Sequence, residues 1–249
     1  MRILVTFAVE AEFAPWRKLR SFRCVAKKPF EIYDVKLGAI TARVALTGIG
    51  WQCAGQVANA VMEDIFDSCI SSGLAGGLKE QFKLGDILAF QSVGELGTRV
   101  MPSDAQLVQS ACSAGARVAS RLMTSKTLVI TAEEKRRLGI FADAVDMESF
   151  PVMAAAQGRG IPAIALRAVS DVVDDDLPMD FSRHIAENGQ VNTGRVLGEI
   201  ARRPQVIPAM VRFGVQTRRA AEGLAEFLDA FISRLAEESQ KTLHQVAIR

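Results

Sequence analysis

Two stretches decide how this chain folds: Ala144-Val145-Asp146-Met147-Glu148-Ser149 and Ile161-Pro162-Ala163-Ile164-Ala165-Leu166-Arg167-Ala168-Val169-Ser170-Asp171. The first ends a short strand at Asp146 and opens a helix running to about Gln157. Pro151 falls in that helix's first turn, where a missing N–H costs little, and Gly158 and Gly160 end it. From Ile161 to Val169 the second stretch is the strongest strand signal in the chain, with Ser170-Asp171 at its carboxyl end. Strand, helix and strand in close succession imply an α/β architecture.

The rest of the chain repeats that alternation. Ile3–Val9 is a nearly continuous apolar run, as expected of a strand buried on both faces. Glu10-Ala11-Glu12 leads at once into a helix with Phe13, Trp16 and Leu19 on one side. Phe30–Leu37 and Ile40–Leu46 read as strands joined at Gly38-Ala39, and Trp51–Phe66 as a helix through Val57, Val61 and Ile65. Cys69–Ser72 is a short strand ending in Gly73-Leu74-Ala75-Gly76-Gly77. Another strand starts at Gly85-Asp86-Ile87. Leu107–Leu122 reads as helix and Leu128-Val129-Ile130 as strand. From about Gly194 onward the pattern is all helix, with Leu224, Phe227, Leu228, Phe231 and Leu235 on one stripe.

Composition narrows the chemistry. The chain has 249 residues and a formal net charge of +2, with 49% hydrophobic and 23% charged residues, which suits a folded globular protein. It has two histidines, His184 and His244, neither in a recognisable motif. A His-rich metal site or a Ser-His-Asp engine is therefore disfavoured, and proton chemistry falls to carboxylates. Four cysteines, Cys24, Cys53, Cys69 and Cys112, show no C-x-x-C spacing and read as small hydrophobes. No leader pattern or bilayer-length apolar run appears, so a cytoplasmic location is expected. A single Tyr and no aromatic-basic interleaving argue against nucleic acid.

In α/β proteins ligands gather at the carboxyl edge of the strands. Glu12, Glu148 and Asp171 sit at such points, and so do the glycine turns Gly48–Gly50 and Gly73–Gly77. Convergent carboxylates without histidine suit acid catalysis or the binding of sugar hydroxyls. Taken singly each has a plainer reading. Glu12 is also a first-turn residue favoured by the helix dipole, and Asp171 also a turn residue before Asp174-Asp175-Asp176.

The order of these blocks resembles the purine nucleoside phosphorylase superfamily, and within it the 5′-methylthioadenosine/S-adenosylhomocysteine nucleosidases. The resemblance spans roughly Met1 to Asp174. It rests on Ala8-Val9-Glu10-Ala11-Glu12, Thr47-Gly48-Ile49-Gly50, Ser72-Gly73-Leu74-Ala75-Gly76-Gly77-Leu78, Gly85-Asp86-Ile87 and the two stretches quoted first. It implies a three-layer α/β/α nucleoside-phosphorylase-like fold around a mixed central sheet, with a helical C-terminal extension. The whole of 1–249 would be one domain, its core about 1–176 and its extension about 192–240.

By the same resemblance, Asp171 is the acid that protonates purine N7, Glu148 binds the ribose hydroxyls, Met147 packs on the sugar, and Glu12 orients the attacking water. Val129 and Ile130 fall where backbone groups meet the base. Ala75, Gly76 and Ser170 line the substrate. The implied reaction is cleavage of the N-glycosidic bond of an adenosine-type nucleoside, by water or by phosphate. No metal or organic cofactor is implied, inorganic phosphate being the one optional co-substrate. A homodimer or larger homo-oligomer is expected. The chemistry agrees: a protonated base leaves more readily, and a nearby carboxylate tolerates the cationic sugar. Asp171 must then hold a proton near neutral pH, through burial or a neighbouring anion, and the Asp174–Asp176 run is the nearest anion in sequence.

Two departures stand out. Leu74 replaces the serine usual in the nucleosidases, and the tail is longer. Both resemble the branch found with bacterial hopanoid biosynthesis, proposed to remove adenine from adenosylhopane by phosphorolysis. A catalytically weak nucleoside-binding protein on the same fold is the alternative from another class. The tail also has a physical feature of its own. From Arg195 to Arg219 there are six arginines and one acidic residue, Glu199, with Ile207, Met210, Val211 and Val215 at helical spacing. A helix of this kind fits either an anionic membrane surface or packing on its own domain.

Overall fold

A computed structural model describes the chain except residues 96, 98, 182–185, 187–188, 190–192 and 248–249. His184 lies outside the described residues. Ten strands form one mixed sheet. Its centre is β1 (Arg2–Phe7), paired in parallel with β4 (Ile40–Leu46) on one side and β5 (Ser68–Gly77) on the other. β3 (Ile32–Leu37) and β2 (Arg23–Ala26) extend the β4 edge as antiparallel strands.

Beyond β5 the sheet curls back on itself. β5 pairs with both β10 (Ala163–Asp171) and β9 (Ala144–Asp146). β10 pairs with β6 (Ile87–Gly94), β6 with β8 (Arg117–Thr124), and β8 with β9. These five strands therefore close a ring. The three-residue β7 (Val100–Pro102) pairs with β6. Every residue of β10 is buried, which explains a run that is apolar from Ala163 to Val169 except for Arg167.

Helices cover both faces. On one lie α1 (Glu10–Leu19), α3 (Ala105–Ser113) and α7 (Ile207–Ala247), which bury Phe13, Trp16, Leu107, Leu224, Phe227, Leu228 and Phe231 against the sheet. On the other lie α2 (Trp51–Val61) and α5 (Ser149–Gln157), burying Ala54, Val57, Val152 and Met153. This is the expected three-layer arrangement with a helical C-terminus. α7 clamps α1 through Asp229, which accepts from Trp16 Nε1 at 3.2 Å and from Arg20 Nε and Nη2 at 2.7 and 2.6 Å.

Several expected elements are corrected. Leu107–Leu122 is not one helix: α3 stops at Ser113, and Gly115, at φ 110, turns the chain into β8. Leu128-Val129-Ile130 is irregular chain after β8, leading to α4 (Ala132–Leu138). Thr131 caps α4, its Oγ1 accepting from Glu134 N at 3.2 Å. α2 ends at Val61, not Phe66, and Ile65 is 85% exposed. Asp64 and Asp67 draw that segment to Arg2, whose Nη2 and backbone N they accept at 2.8 and 2.6 Å. β5 continues through Gly73–Gly77, because β10 pairs with it as far as Gly76 and β9 pairs with Gly76 and Gly77. Leu19 is half exposed at the end of α1. β2, short and mostly exposed, shows no apolar pattern by which to find it.

Candidate active site

Glu12 sits in the first turn of α1 and does two jobs. Its Oε2 accepts from Ala8 N at 3.0 Å and from Val9 N at 3.4 Å, capping its own helix. Its Oε1 reaches across to β5 and accepts from Leu74 N at 2.9 Å. The plainer reading of Glu12 is thus true as well, and it does not exhaust the residue. Burial pushes the Glu12 carboxyl above its ordinary value, opposed by the Leu74 N–H and by the Arg167 guanidinium.

Gly73 leaves room for that carboxylate. A Cβ there would lie 3.0 Å from Glu12 Oε1, on backbone held at φ 149. Gly73→Ala should displace Glu12 and slow base release by roughly 10- to 100-fold, since small misplacements of a reacting group are that costly. Wild-type turnover with a native melting temperature would show that Glu12 is not needed where it stands.

Asp171 ends β10 and pairs with Gly76 of β5. A Cβ on Gly76 would lie 3.0 Å from Asp171 Oδ2, so the small residue admits the carboxyl. Ser170 Oγ donates to Asp171 Oδ1 at 2.7 Å and lies 3.2 Å from Ala75 O. Glu12 and Asp171 are thereby tied to Leu74 and Gly76, two residues apart on one strand, or roughly 7 Å along it.

Glu148 arrives from the opposite direction. β9 runs antiparallel to β5, with Val145 opposite Gly76, so the chain leaving β9 heads back along β5 toward Gly73. The three carboxylates therefore do not share one carboxyl edge. Two come from one strand direction and the third from the other. Glu148 Oε1 accepts from Gly50 N at 2.7 Å, which brings the Gly48–Gly50 turn into the site. Burial, with Asp146 and Glu12 nearby, pushes the Glu148 carboxyl up to about 8.

That displacement has a testable sign. Between its ordinary value of 4.5 and about 8, Glu148 is protonated in the fold and ionised in the unfolded chain. Its stabilising contribution is complete below the lower value and is lost as pH rises through the upper one. The melting temperature should fall across that window, and Glu148→Gln should make the fall shallower, leaving the part due to Glu12. An equal fall in the variant would contradict this.

Beneath the carboxylates lies a buried ion pair. Arg167 donates from Nε and Nη2 to Asp146 Oδ2 at 3.1 and 2.7 Å, and both side chains are almost wholly buried. Its other bonds go to Ser71 O, Leu166 O, Ser71 Oγ and Ser149 Oγ at 2.7 to 3.0 Å. Asp146 also accepts from Thr124 Oγ1 at 2.7 Å and Ser149 N at 3.0 Å. Arg167 has thus committed its donors to holding β5, β9 and β10 in place. A charged residue within the run Ile164–Val169 is the sign by which it could be found, since a buried cation requires a partner.

Lys135 is the residue that sequence reasoning missed. It is fully buried, and its ammonium pairs with Asp171 Oδ2 while donating to Val172 O at 3.0 Å and Asp175 O at 2.8 Å. It hides inside Glu133-Glu134-Lys135-Arg136-Arg137, a run that reads as a solvated helix face. The expected role of Asp174–Asp176 as like-charge neighbours of Asp171 is corrected. Asp174 bonds Arg136, the Asp175 carbonyl bonds Lys135, and Asp176 Oδ1 accepts from Ala132 N at 2.7 Å. The run is tied to α4, and the charge beside Asp171 is a cation.

The remaining expected residues are less central. Met147 precedes Glu148, and its N–H lies 3.3 Å from Glu148 Oε2. Val129 is buried with Leu78, Met123, Ala142 and Val145. Ile130 O accepts from Leu177 N at 2.8 Å, tying its loop to the segment after Asp171. Farther along the chain, Ile49 N donates to Gly189 O at 2.8 Å, and Phe181 stacks on Phe213 of α7 at 5.6 Å. Between α1 and α7 a groove of about 620 Å³ opens from Glu12 and Leu74, lined by Val9, Ala14, Leu19 and Ala221.

Known proteins share this fold. The chain is 24% identical over 202 residues to a 5′-methylthioadenosine/S-adenosylhomocysteine nucleosidase of Exiguobacterium sp., covering 70% of this chain and 85% of the relative. The nucleosidase of that name from Neisseria meningitidis, in complex with methylthio-immucillin-A, superposes with a TM-score of 0.72 at 20% identity, covering 94% of this chain and 99% of that one. Futalosine hydrolase of Helicobacter pylori gives a TM-score of 0.72 at 17% identity, covering 94% and 98%. The phosphorylase superfamily model matches residues 2–198, a span that takes in Glu12, Glu148 and Asp171. The chain belongs to the phosphorylase superfamily.

Proposed function

We propose that this protein releases adenine from an adenosine-type nucleoside of the methylthioadenosine or adenosylhomocysteine kind. Membership of the superfamily makes it an enzyme of N-glycosidic bond cleavage. The observation that carries the finer reading is the placing of Glu12 and Asp171 about two residues apart along β5, with Glu148 entering from β9. A nucleoside laid along β5 meets an acid at one end and a carboxylate for its nucleophile at the other.

In this reading the Lys135 ammonium gives a proton to Asp171 Oδ2 and Asp171 passes it to the leaving base, so the carboxyl ends ionised as it began, while Ser170 Oγ holds Oδ1. Ala75 and Gly76 lie against the base, with the backbone of Val129 and Ile130 beside it. Glu148, carrying a proton below about pH 8, donates to one ribose hydroxyl and accepts from the other. Met147 packs on the sugar. Glu12 orients the nucleophile on the far side and faces the positive charge that grows on the sugar. Four free cysteines support a reducing, cytoplasmic setting. A homo-oligomer remains the expected state.

A second reading is phosphorolysis of adenosylhopane or another adenosine with a bulky apolar 5′ group. It is favoured by Leu74 and by the largely apolar groove that opens beside it between α1 and α7. One assay separates the readings. The protein is incubated with methylthioadenosine, adenosylhomocysteine, adenosine and inosine, with and without phosphate, and free base is measured. Adenine from the first two without phosphate is the expected result. Release only with phosphate moves the reading to a phosphorylase. No base from any of the four would overturn the small-nucleoside reading.

A further inference from the structure

We propose that the exposed face at the start of α7 docks this protein onto an anionic lipid surface. Ile207, Val211 and Val215 are 45%, 62% and 45% exposed. They lie four residues apart and so form one row along the helix. Pro208, Arg212 and Arg219 flank the row, Arg218 continues it, and all four are exposed. Arg202 and Arg203, just before it, are exposed too. Between residues 200 and 221 the chain has no acidic residue. Glu199 and Glu222 bound the stretch, paired with Arg203 and Arg218.

The same helix shows that the fold does not need this row. From Ala220 onward its apolar side turns inward, and Ala220, Leu224, Phe227, Leu228, Phe231 and Leu235 are all buried. In the first half Phe213 and Thr217 face the protein, Phe213 against Phe181. The row Ile207–Val211–Val215 points the other way. An apolar row bordered by arginines is the pattern of a helix lying in a lipid interface, where side chains enter the acyl boundary and guanidinium groups meet phosphates. No helix among the described residues is long and apolar enough to cross a membrane, so the contact would be with the surface. A second copy fits less well, because a two-fold contact would set the same arginines against one another.

The test is sedimentation of the full chain with vesicles, and it does not depend on the nucleoside reading. With phosphatidylcholine containing about a third phosphatidylglycerol, binding should exceed that to phosphatidylcholine alone by at least about tenfold and weaken as salt is raised. Each arginine at an anionic surface raises binding by roughly fivefold, so Arg212→Ser with Arg219→Ser should lower it by about 25-fold. Val211→Asp should lower it by at least about tenfold, on the order of burying versus losing one valine. Unchanged melting temperatures would show that these surface variants fold. The proposal is overturned by no binding, by equal binding to neutral vesicles, or by variants that bind as wild type. It is overturned equally if Val211→Asp changes the mass in solution and leaves vesicle binding alone, for then a second copy covers the face.

Discussion

Asp171→Asn should lower the rate of base release by about 100- to 10,000-fold, the range expected when a general acid is removed. Asparagine keeps the shape of the side chain, and its carbonyl oxygen can still accept from Lys135 or from Ser170. It cannot pass a proton to a leaving base. The loss should therefore appear in kcat with the best of the four nucleosides, and KM should move much less. Gly76 leaves the amide room, but the fully buried Lys135 ammonium loses its counter-charge, so the melting temperature should fall as well, and the rates are compared well below it. Adenine release at the wild-type rate would end the case for Asp171 as the acid. A protein that never released adenine, yet bound nucleosides equally well with and without the Asp171→Asn change, would be the binding protein held as the alternative.

Lys135→Met should destabilise the fold by about 3–5 kcal/mol, measured by urea unfolding, because it leaves one member of a buried ion pair behind. The lysine side chain is fully buried and that of Asp171 is 8% exposed, so water can do little to compensate. Two carbonyls, of Val172 and Asp175, also lose their donor. Methionine fills a similar volume, which separates the electrostatic loss from a cavity. Adding Asp171→Asn to Lys135→Met should return a large part of the stability, since it removes the uncompensated charge. The double variant would stay inactive. A single variant that lost less than about 1 kcal/mol would mean the pair is not what holds α4 to the end of β10.

These two residues mark where sequence reading reached and where it stopped. Asp171 was legible because it ends an apolar run, and polar residues at strand ends are exposed to ligands. Glu12 and Glu148 were legible for a like reason, Glu148 lying two residues after β9 and Glu12 in the helix turn that follows β1. Lys135 was not. Its neighbours are all charged, and nothing in a run of five charges says which one turns inward. Arg167 stood in plain view within a buried strand, but its partner Asp146 lies 21 residues away, on a strand that β10 does not pair with in the sheet.

Helix and strand boundaries failed for related reasons. The stretch Leu107–Leu122 carries apolar residues at spacings that either a helix or a helix-turn-strand satisfies, and Gly115 decides between them through its backbone conformation. Residues Gly73–Gly77 look like a loop by composition. They form a strand because β10 supplies backbone partners on one side, and β9 pairs with Gly76 and Gly77 on the other.

Chain order alone carries the alternation of strands and helices, the candidate carboxylates Glu12, Glu148 and Asp171, and the amphipathic start of α7. Those depend on local features: apolar periodicity, and which residue follows a strand. Packing in three dimensions decided that β5, β10, β6, β8 and β9 close a ring, and that β9 runs against β5. It also decided that Asp171 meets a lysine 36 residues away and not its own acidic neighbours. Which charge pairs with which is set by distance in space under low dielectric, and chain order does not encode it.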